Sequence, residues 1–172
     1  FLFLYSMSHE FHIHTPMGAL KLTASEMGIQ ALEFVEGTDQ IPSPGANPAK
    51  APLVNKLQQQ LNEYFDGTRS AFDVPFDLQG TEFQIKIWNL LQSIPYGSTM
   101  SYTQLADKYG ERNAIRAVAA ANAKNKIAIL IPCHRIIGTD GSLTGYAWGI
   151  ERKRALLELE GGLPKQGTLD LG

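Results

Sequence analysis

The chain has 172 residues, of which 44% are hydrophobic and 19% charged, as is typical of a folded globular protein. It carries a formal net charge of −2. Its single cysteine excludes an internal disulfide framework and indicates either a reducing compartment or indifference to redox state, and we expect the protein in the cytoplasm. No segment approaches the length of a transmembrane helix, and no membrane partner is expected. Residues 1 to 6 precede Met7 and are expected to be non-native or a mis-assigned start.

The two halves of the chain differ in charge. Residues 1–80 contain four Lys or Arg against nine Asp or Glu, whereas residues 81–172 contain eleven against eight. The excess is local, because residues 108–135 hold six basic residues and one acidic residue. Such a patch suits contacts with phosphates, but an ordinary solvated face has the same composition. Charge alone leaves both interpretations open.

In the N-terminal half, alternating apolar residues predict three short strands over residues 11–14, 19–24 and 29–35. We expect them to form a small antiparallel meander. Residues 37–52 are rich in Pro, Gly, Ser and Asn and predict a loop. Apolar residues at helical spacing then predict an amphipathic helix from Leu53 that ends at Gly67. The following segment, residues 72–76, alternates but contains a proline, which favours a linker or an edge segment.

Two capping boxes predict helix starts in the second half. In each, a hydroxyl residue at the N-cap is followed three residues later by a glutamine: Thr81 with Gln84, and Ser101 with Gln104. The first helix is predicted to run to about Gln92.

The second of these helices is predicted over residues 102–109, and a third from about residue 113 to 123. Gly110 lies between them, so the pair is a candidate helix-turn-helix. A last helix is predicted over residues 150–160, before two glycines. These elements predict an α+β protein. We expect a small N-terminal antiparallel sheet with a helix and linker in residues 1–79, and a mainly helical C-terminal domain containing the helix-turn-helix in residues 80–172.

The single cysteine, Cys133, lies between Pro132 and His134 at the end of an apolar run, with Arg135 next. Cysteine reacts as the thiolate, and a nearby imidazole or guanidinium lowers the pKa of the thiol by stabilising that anion. Free cysteine is also among the most frequently buried residue types, so an inert core thiol is the alternative. The motif by itself supports either role.

One set of residues in the second half of the chain forms a recognisable pattern of types and spacings: Gly80 to Gln84, Trp88, Ile94 to Gly97, Ser101, Tyr102, Leu105, Ala106, Arg116 to Val118, Ala121, Asn122, Asn125, Ile131 to Arg135, Gly145, Tyr146, Arg152, Lys153, Leu156, Leu157 and Glu160. With these residues, in order and at the family's spacing, residues 80–161 resemble the O6-alkylguanine-DNA alkyltransferases, also called methylated-DNA-protein-cysteine methyltransferases. The N-terminal half matches that family only in layout.

The resemblance implies irreversible transfer of an alkyl group, chiefly methyl, from O6-alkylguanine in double-stranded DNA to Cys133, with O4-alkylthymine as a further candidate substrate. Because water does not hydrolyse the product thioether, such a protein acts once. No cofactor and no metal are expected. By this resemblance, Cys133 is the nucleophile, His134 acts as the base through a bridging water, and Glu160 orients the imidazole. Tyr146 donates a hydrogen bond toward the purine, and Asn125 anchors the active-site loop.

The resemblance also implies that the damaged base is rotated out of the duplex, since a buried sulfur cannot reach it in the stack. Arg116 is expected to fill the vacated space and Tyr102 to press on the adjacent phosphate, while a helix surface with Ala114 and Ala117 enters the minor groove. The other residues expected to contact DNA are Gln84, Thr103, Arg135 and Thr139. The protein is expected to bind as a monomer.

The substrate pocket is expected to include Ala147 and Trp148. Trp148 stands where the family usually has glycine, and we expect this indole to narrow the pocket and favour methyl over bulky adducts such as benzyl. The main alternative function is a non-catalytic protein that recognises alkyl lesions and signals to other repair pathways, although such proteins lack the reactive cysteine. A cysteine hydrolase is a third possibility, but nothing in the sequence resembles an oxyanion-hole loop.

Overall fold

The computed structural model describes residues 8–37 and 51–164. Residues 1 to 6, most of the predicted 37–52 loop and the last eight residues lie outside the described part. The chain divides into two compact units. One comprises residues up to Gln79 together with Lys126–Ala128, and the other comprises Gly80–Asn125 and the chain from Ile129 onward.

The first unit contains a three-stranded antiparallel sheet formed by β1 (His9–Thr15), β2 (Gly18–Ala24) and β3 (Ile29–Val35), in the order β1-β2-β3. This confirms the predicted meander. Alternate residues such as Ile13, Leu20 and Leu22 are fully buried, as the period of two requires.

Helix α1 (Ala51–Phe65) packs against β1. It begins two residues before the predicted start, so the loop prediction was wrong at Ala51 and Pro52. Proline is tolerated in the first turn of a helix, where its missing N–H has no intrahelical partner. The core face of the helix is formed by Val54, Leu57, Leu61 and Tyr64.

The sheet of the first unit is extended by short segments at its β3 edge. Leu32 N donates to Lys126 O at 2.8 Å, and Ala128 N donates to Leu32 O at 2.8 Å. Earlier in the chain, Ile29 N donates to Pro75 O at 2.9 Å. Pro75 therefore acts only as an acceptor, the one backbone role that proline retains.

The second unit contains four helices among its described residues: α2 (Glu82–Leu91), α3 (Tyr102–Tyr109), α4 (Ile115–Ala123) and α5 (Ile150–Glu160). Both predicted capping boxes are present at the starts of α2 and α3. The predicted third helix begins as a 3₁₀ turn over Arg112–Ala114 before it becomes α-helical. Inside this unit, Trp88 Nε1 on α2 donates to Ala121 O on α4 at 2.8 Å.

Two very short strands, β4 (Met100–Ser101) and β5 (Ile136–Ile137), form a parallel pair in the second unit. A pair of two-residue strands has no periodicity to detect, so the sequence did not predict it. It brings the start of α3 beside the segment that follows Cys133. In the described part of the chain, none of the helices combines the length and apolar character needed to cross a membrane.

Candidate active site

Cys133 opens a short 3₁₀ helix, Cys133–Arg135, and is 4% exposed. The preceding residues Ile129 and Ile131 are also buried, so the apolar run carries the thiol into the interior of the second unit. Ile129 has φ of 69°, an uncommon backbone conformation for a β-branched residue. Such strained positions persist only where the surrounding packing determines them.

Burial raises the pKa of the Cys133 thiol to about 11, although a hydrogen bond with Asn125 and the charge of Lys153 lower it in part. The sequence left open whether the neighbouring imidazole and guanidinium ionise this thiol. In the free protein, desolvation of the thiolate outweighs the nearby charges. At neutral pH the sulfur is therefore protonated and requires a base.

His134, the residue after Cys133, forms an acid-base pair with Glu160, with His134 Nε2 at 2.8 Å from Glu160 Oε1. Burial alone would raise the pKa of Glu160, but hydrogen bonds from His134 and Arg135 outweigh it and hold the pKa at about 2. A carboxylate only accepts hydrogen bonds, so Nε2 must carry the proton of the imidazole. Burial also lowers the pKa of His134. The ring is thus neutral at neutral pH, and its Nδ1 has a free lone pair.

Nδ1 of His134 is buried and has no hydrogen-bond partner among the described residues. An imidazole in this tautomer, oriented by a carboxylate, is the arrangement of a general base. The structure therefore joins the predicted base, His134, to its predicted orienting group, Glu160, and the predicted nucleophile Cys133 directly precedes His134 in the chain.

Arg135, which was expected to contact DNA, is buried instead. Its Nε and Nη2 donate to Glu160 at 2.8 and 2.9 Å, and its Nη1 donates to Ile94 O at 2.7 Å. The guanidinium is committed to these partners, so we assign Arg135 to the support of Glu160 rather than to a phosphate contact.

Asn125 anchors the segment before the cysteine. Its Nδ2 donates to Ile131 O at 3.0 Å, and its side chain also forms the hydrogen bond with Cys133 that lowers the pKa of the thiol. This placement agrees with the anchoring role that the resemblance implies.

Lys153 is a site residue to which the sequence analysis gave no role. It is fully buried on α5, and its Nζ donates to the carbonyl oxygens of Ile136, Thr144 and Gly145. Burial lowers the pKa of Lys153 to about 8. The lysine ties the segment before Tyr146 to the segment after Cys133. The sequence did contain a signal for this role. The buried residues of α5 are spaced as on one face of a helix, and two of the four are charged: they are Lys153, Leu156, Leu157 and Glu160.

A cavity of about 280 Å³ opens beside the thiol, at the small end of the usual range for ligand pockets, ~300–1,000 Å³. Its lining consists of Tyr102, Asn122, Ala123, Cys133, Gly145, Tyr146 and Ala147. The hydroxyl of Tyr146 is buried without a hydrogen-bond partner among the described residues, and burial raises its pKa well above the ordinary value. Tyr146 therefore stays a hydrogen-bond donor at neutral pH.

Trp148 is not among the described residues that line this cavity. Its ring packs edge-on against Tyr146, with centroids 5.3 Å apart. Any effect of Trp148 on the width of the cavity thus acts through Tyr146. Ala147, the other predicted pocket residue, lines the cavity directly.

Most of the other predicted DNA-contacting residues lie at the surface. Arg116 and Ala117 are exposed on α4, and Ala114 is half-buried just before this helix. Thr103 and Thr139 lie together, with their Oγ1 atoms 3.1 Å apart. The remaining two have intramolecular contacts: the hydroxyl of Tyr102 donates to Thr144 O at 3.3 Å, and Gln84 Oε1 accepts from Thr81 N in the capping box at 3.0 Å.

A larger open groove of about 540 Å³ lies elsewhere in the second unit. It is lined by Lys86, Asn89, Leu90, Lys108, Tyr109, Gly110 and Glu111. It shares no lining residue with the cavity at Cys133, and no cysteine lines it. Within residues 8–37 and 51–164, no cluster of His, Cys, Asp or Glu is placed to hold a metal ion.

The fold and the site define a protein that uses a buried cysteine as nucleophile toward a small group held in the adjacent cavity. Family models agree with this class. Residues 82–162 match the 6-O-methylguanine DNA methyltransferase DNA binding domain, and residues 9–78 match the ribonuclease-like domain of the same methyltransferases. The chain belongs to the 6-O-methylguanine DNA methyltransferase family.

Individual relatives match over most of their length. The chain is 46% identical over 160 residues to a methylated-DNA–protein-cysteine methyltransferase of Mycobacterium tuberculosis, covering 90% of this chain and 93% of the relative. It is 42% identical over 147 residues to that of Methanosarcina acetivorans, covering 86% and 94%. The crystal structure of the M. tuberculosis OGT in complex with DNA has a TM-score of 0.77 at 46% identity, covering 89% of this chain and 92% of that chain.

Proposed function

We propose that this protein repairs alkylated DNA directly, by transferring an alkyl group, chiefly methyl, from O6 of guanine in a duplex to Sγ of Cys133. One observation carries the proposal: a buried thiol lines a small cavity, and the next residue is a neutral histidine. The hydrogen bond from Nε2 of this histidine to Glu160 leaves its Nδ1 unprotonated. The family and its methyltransferase relatives support the same reaction.

The reaction is a displacement at a saturated carbon. Nδ1 of His134 takes the proton of the thiol through a bridging water, and the sulfur attacks the alkyl carbon. A new S–C bond forms as the C–O6 bond breaks, and the bonding electrons remain on the oxygen of the guanine. Tyr146 donates a hydrogen bond toward the purine as this charge develops. The purine then takes up a proton and leaves as ordinary guanine.

The surface of α3 and α4 supports a duplex-binding role. We propose that the pair acts as a helix-turn-helix whose second helix enters the minor groove, where small side chains at Ala114 and Ala117 allow close approach. Arg116, exposed on the same helix, fills the space left by the rotated base. Tyr102 presses on the neighbouring phosphate, while Gln84 and the pair of Thr103 and Thr139 contact the DNA backbone.

The product is a thioether, so each molecule acts once and needs no cofactor. The thiol, base and cavity all belong to the second unit of one chain, which favours action as a monomer. A thiol that must stay reduced favours the cytoplasm. O4-alkylthymine in DNA is a second, weaker substrate in this proposal.

The test is intact-protein mass after incubation with a duplex that carries one O6-methylguanine. We expect a gain of one methylene per protein molecule, and no gain in the Cys133→Ala variant. Binding to the lesion with no mass change would instead support the alternative, a non-catalytic recognition protein. Absence of both would contradict both functions.

A further inference from the structure

Asn122 lines the substrate cavity and carries a buried polar atom that has no partner in the described part of the chain. It lies on the buried face of α4 with Val118 and Ala121 and is 5% exposed. Its Oδ1 is buried and has no hydrogen-bond partner among the described residues. The same side chain lines the cavity with Cys133 and Tyr146.

An unpaired buried carbonyl is unfavourable, so each case in a native protein calls for an explanation. Four such side-chain atoms occur in the described residues: Asn122 Oδ1, His134 Nδ1, Tyr146 Oη and Glu158 Oε1. The proposed reaction uses the histidine and the tyrosine, and Glu158 does not line the cavity. Asn122 is the cavity-lining member with no role so far.

The chemistry of an amide selects among alkylated bases. An amide presents an acceptor and two donors side by side. O6-alkylguanine presents the complement, because its exocyclic N2 amine donates while the adjacent ring nitrogens accept. O4-alkylthymine presents only acceptors, at N3 and O2, on the corresponding edge. An amide oxygen facing that base would meet another acceptor.

We propose that Asn122 is a specificity-determining residue that reads the rotated base: its Oδ1 accepts a hydrogen bond from the N2 amine of O6-alkylguanine. This contact favours O6-alkylguanine over O4-alkylthymine and over any O6-alkylpurine that lacks the amine. The inference rests on the proposed alkyl transfer and adds the basis of base selection. It also explains why an amide is kept on a helix face whose other buried members are apolar.

The test compares three duplexes of identical flanking sequence that carry O6-methylguanine, O6-methylhypoxanthine or O4-methylthymine. O6-Methylhypoxanthine differs from O6-methylguanine only in lacking the exocyclic amine. Second-order rate constants for methyl transfer are measured by intact mass in single-turnover experiments. For the parent protein we expect O6-methylguanine to react roughly tenfold faster than O6-methylhypoxanthine, the size expected for one hydrogen bond.

The variant Asn122→Leu keeps the branched shape of the side chain and removes the amide. We expect it to react equally with the two purines and to lose preference against O4-methylthymine. The matched control is Asn89→Leu, an exposed asparagine outside the cavity, which should keep the parent ratios. Should the leucine variant not fold, Asn122→Ala provides the same comparison with a smaller side chain.

The outcomes separate the inference from the function on which it rests. Equal loss of rate on all three substrates in the Asn122 variants would assign a structural role to Asn122 and overturn the proposal. A parent that does not distinguish the two purines, or a preference that survives in the variants, would also overturn it. If the parent transferred a methyl group from none of the three, alkyl transfer itself would fail.

Discussion

The substitution Glu160→Gln tests the buried network behind the nucleophile. The Glu160 carboxylate accepts from Arg135 through two nitrogens and from His134 through one. Glutamine keeps the shape and removes the charge, so the buried guanidinium loses its counter-ion. The matched control is Glu82→Gln, because the carboxylate of Glu82 pairs with Lys86 on the exposed surface of α2.

The two substitutions are chemically identical but differ in expected cost. Breaking a buried ion pair by removing one partner costs about 3–5 kcal/mol of unfolding free energy. Breaking an exposed pair costs about 0–1 kcal/mol. With a urea dependence of ~1–3 kcal/mol per molar, the Glu160 variant should unfold at a midpoint lower by roughly 2 M, and the Glu82 variant close to the parent.

Tryptophan fluorescence in urea measures the relevant part of the molecule. The chain has two tryptophans, Trp88 and Trp148, and both belong to the second unit, which contains Glu160. The signal therefore reports the unfolding of that unit. Methyl transfer in the Glu160→Gln variant should also be slow, because a glutamine amide is able to donate to Nε2 and favour the tautomer whose Nδ1 carries the proton.

Acid should remove the difference between parent and variant. The pKa of Glu160 is about 2 in the folded protein against an ordinary value of 4.5, so the folded state binds this proton less readily than the unfolded state. The stabilising contribution, about 3 kcal/mol, is complete above pH ~4.5 and is lost as the pH falls toward 2. Midpoints of the two Gln variants that agree, or a difference between parent and Glu160→Gln that stays constant down to pH 2, would refute the reasoning.

Three further predictions concern the thiol, the duplex and the cavity. The rate of labelling of Cys133 by iodoacetamide should increase with pH, with a midpoint at a pH of about 11 in the native protein and about 9 in the urea-unfolded chain, since burial raises the pKa of the thiol. Coincident pH profiles would contradict this. Arg116→Ala should slow methyl transfer from duplex DNA but not from the free base O6-methylguanine. The control Arg112→Ala removes a cation paired with Asp107 and should leave both rates near those of the parent. An equal effect of Arg116→Ala on duplex and free base would argue against insertion of Arg116 into the duplex. Trp148→Gly should react faster with O6-benzylguanine, because loss of the indole frees the ring of Tyr146; an unchanged rate would exclude Trp148 as a determinant of pocket width.

Local signals predicted much of the fold. The capping boxes at Thr81 and Ser101 determine where α2 and α3 begin, because each needs only residues within one turn. The period of two along β1 to β3 predicted the meander for the same reason. The start of α1 was missed, because loop composition masked a proline that fits the first turn of a helix.

The sequence by itself predicted the nucleophile and its neighbouring histidine and identified the family, since these depend on residue types in a fixed order. Only the tertiary structure decided how those groups are charged. Glu160 is 26 residues from His134 along the chain, yet their side chains meet in a buried network. In the interior, the cost of desolvation keeps Cys133 protonated and His134 neutral. Arg135 is buried as well and donates to Glu160, so its predicted contact with DNA is replaced by this internal one. Burial depends on every element that packs around a group, and no local pattern of residues encodes it.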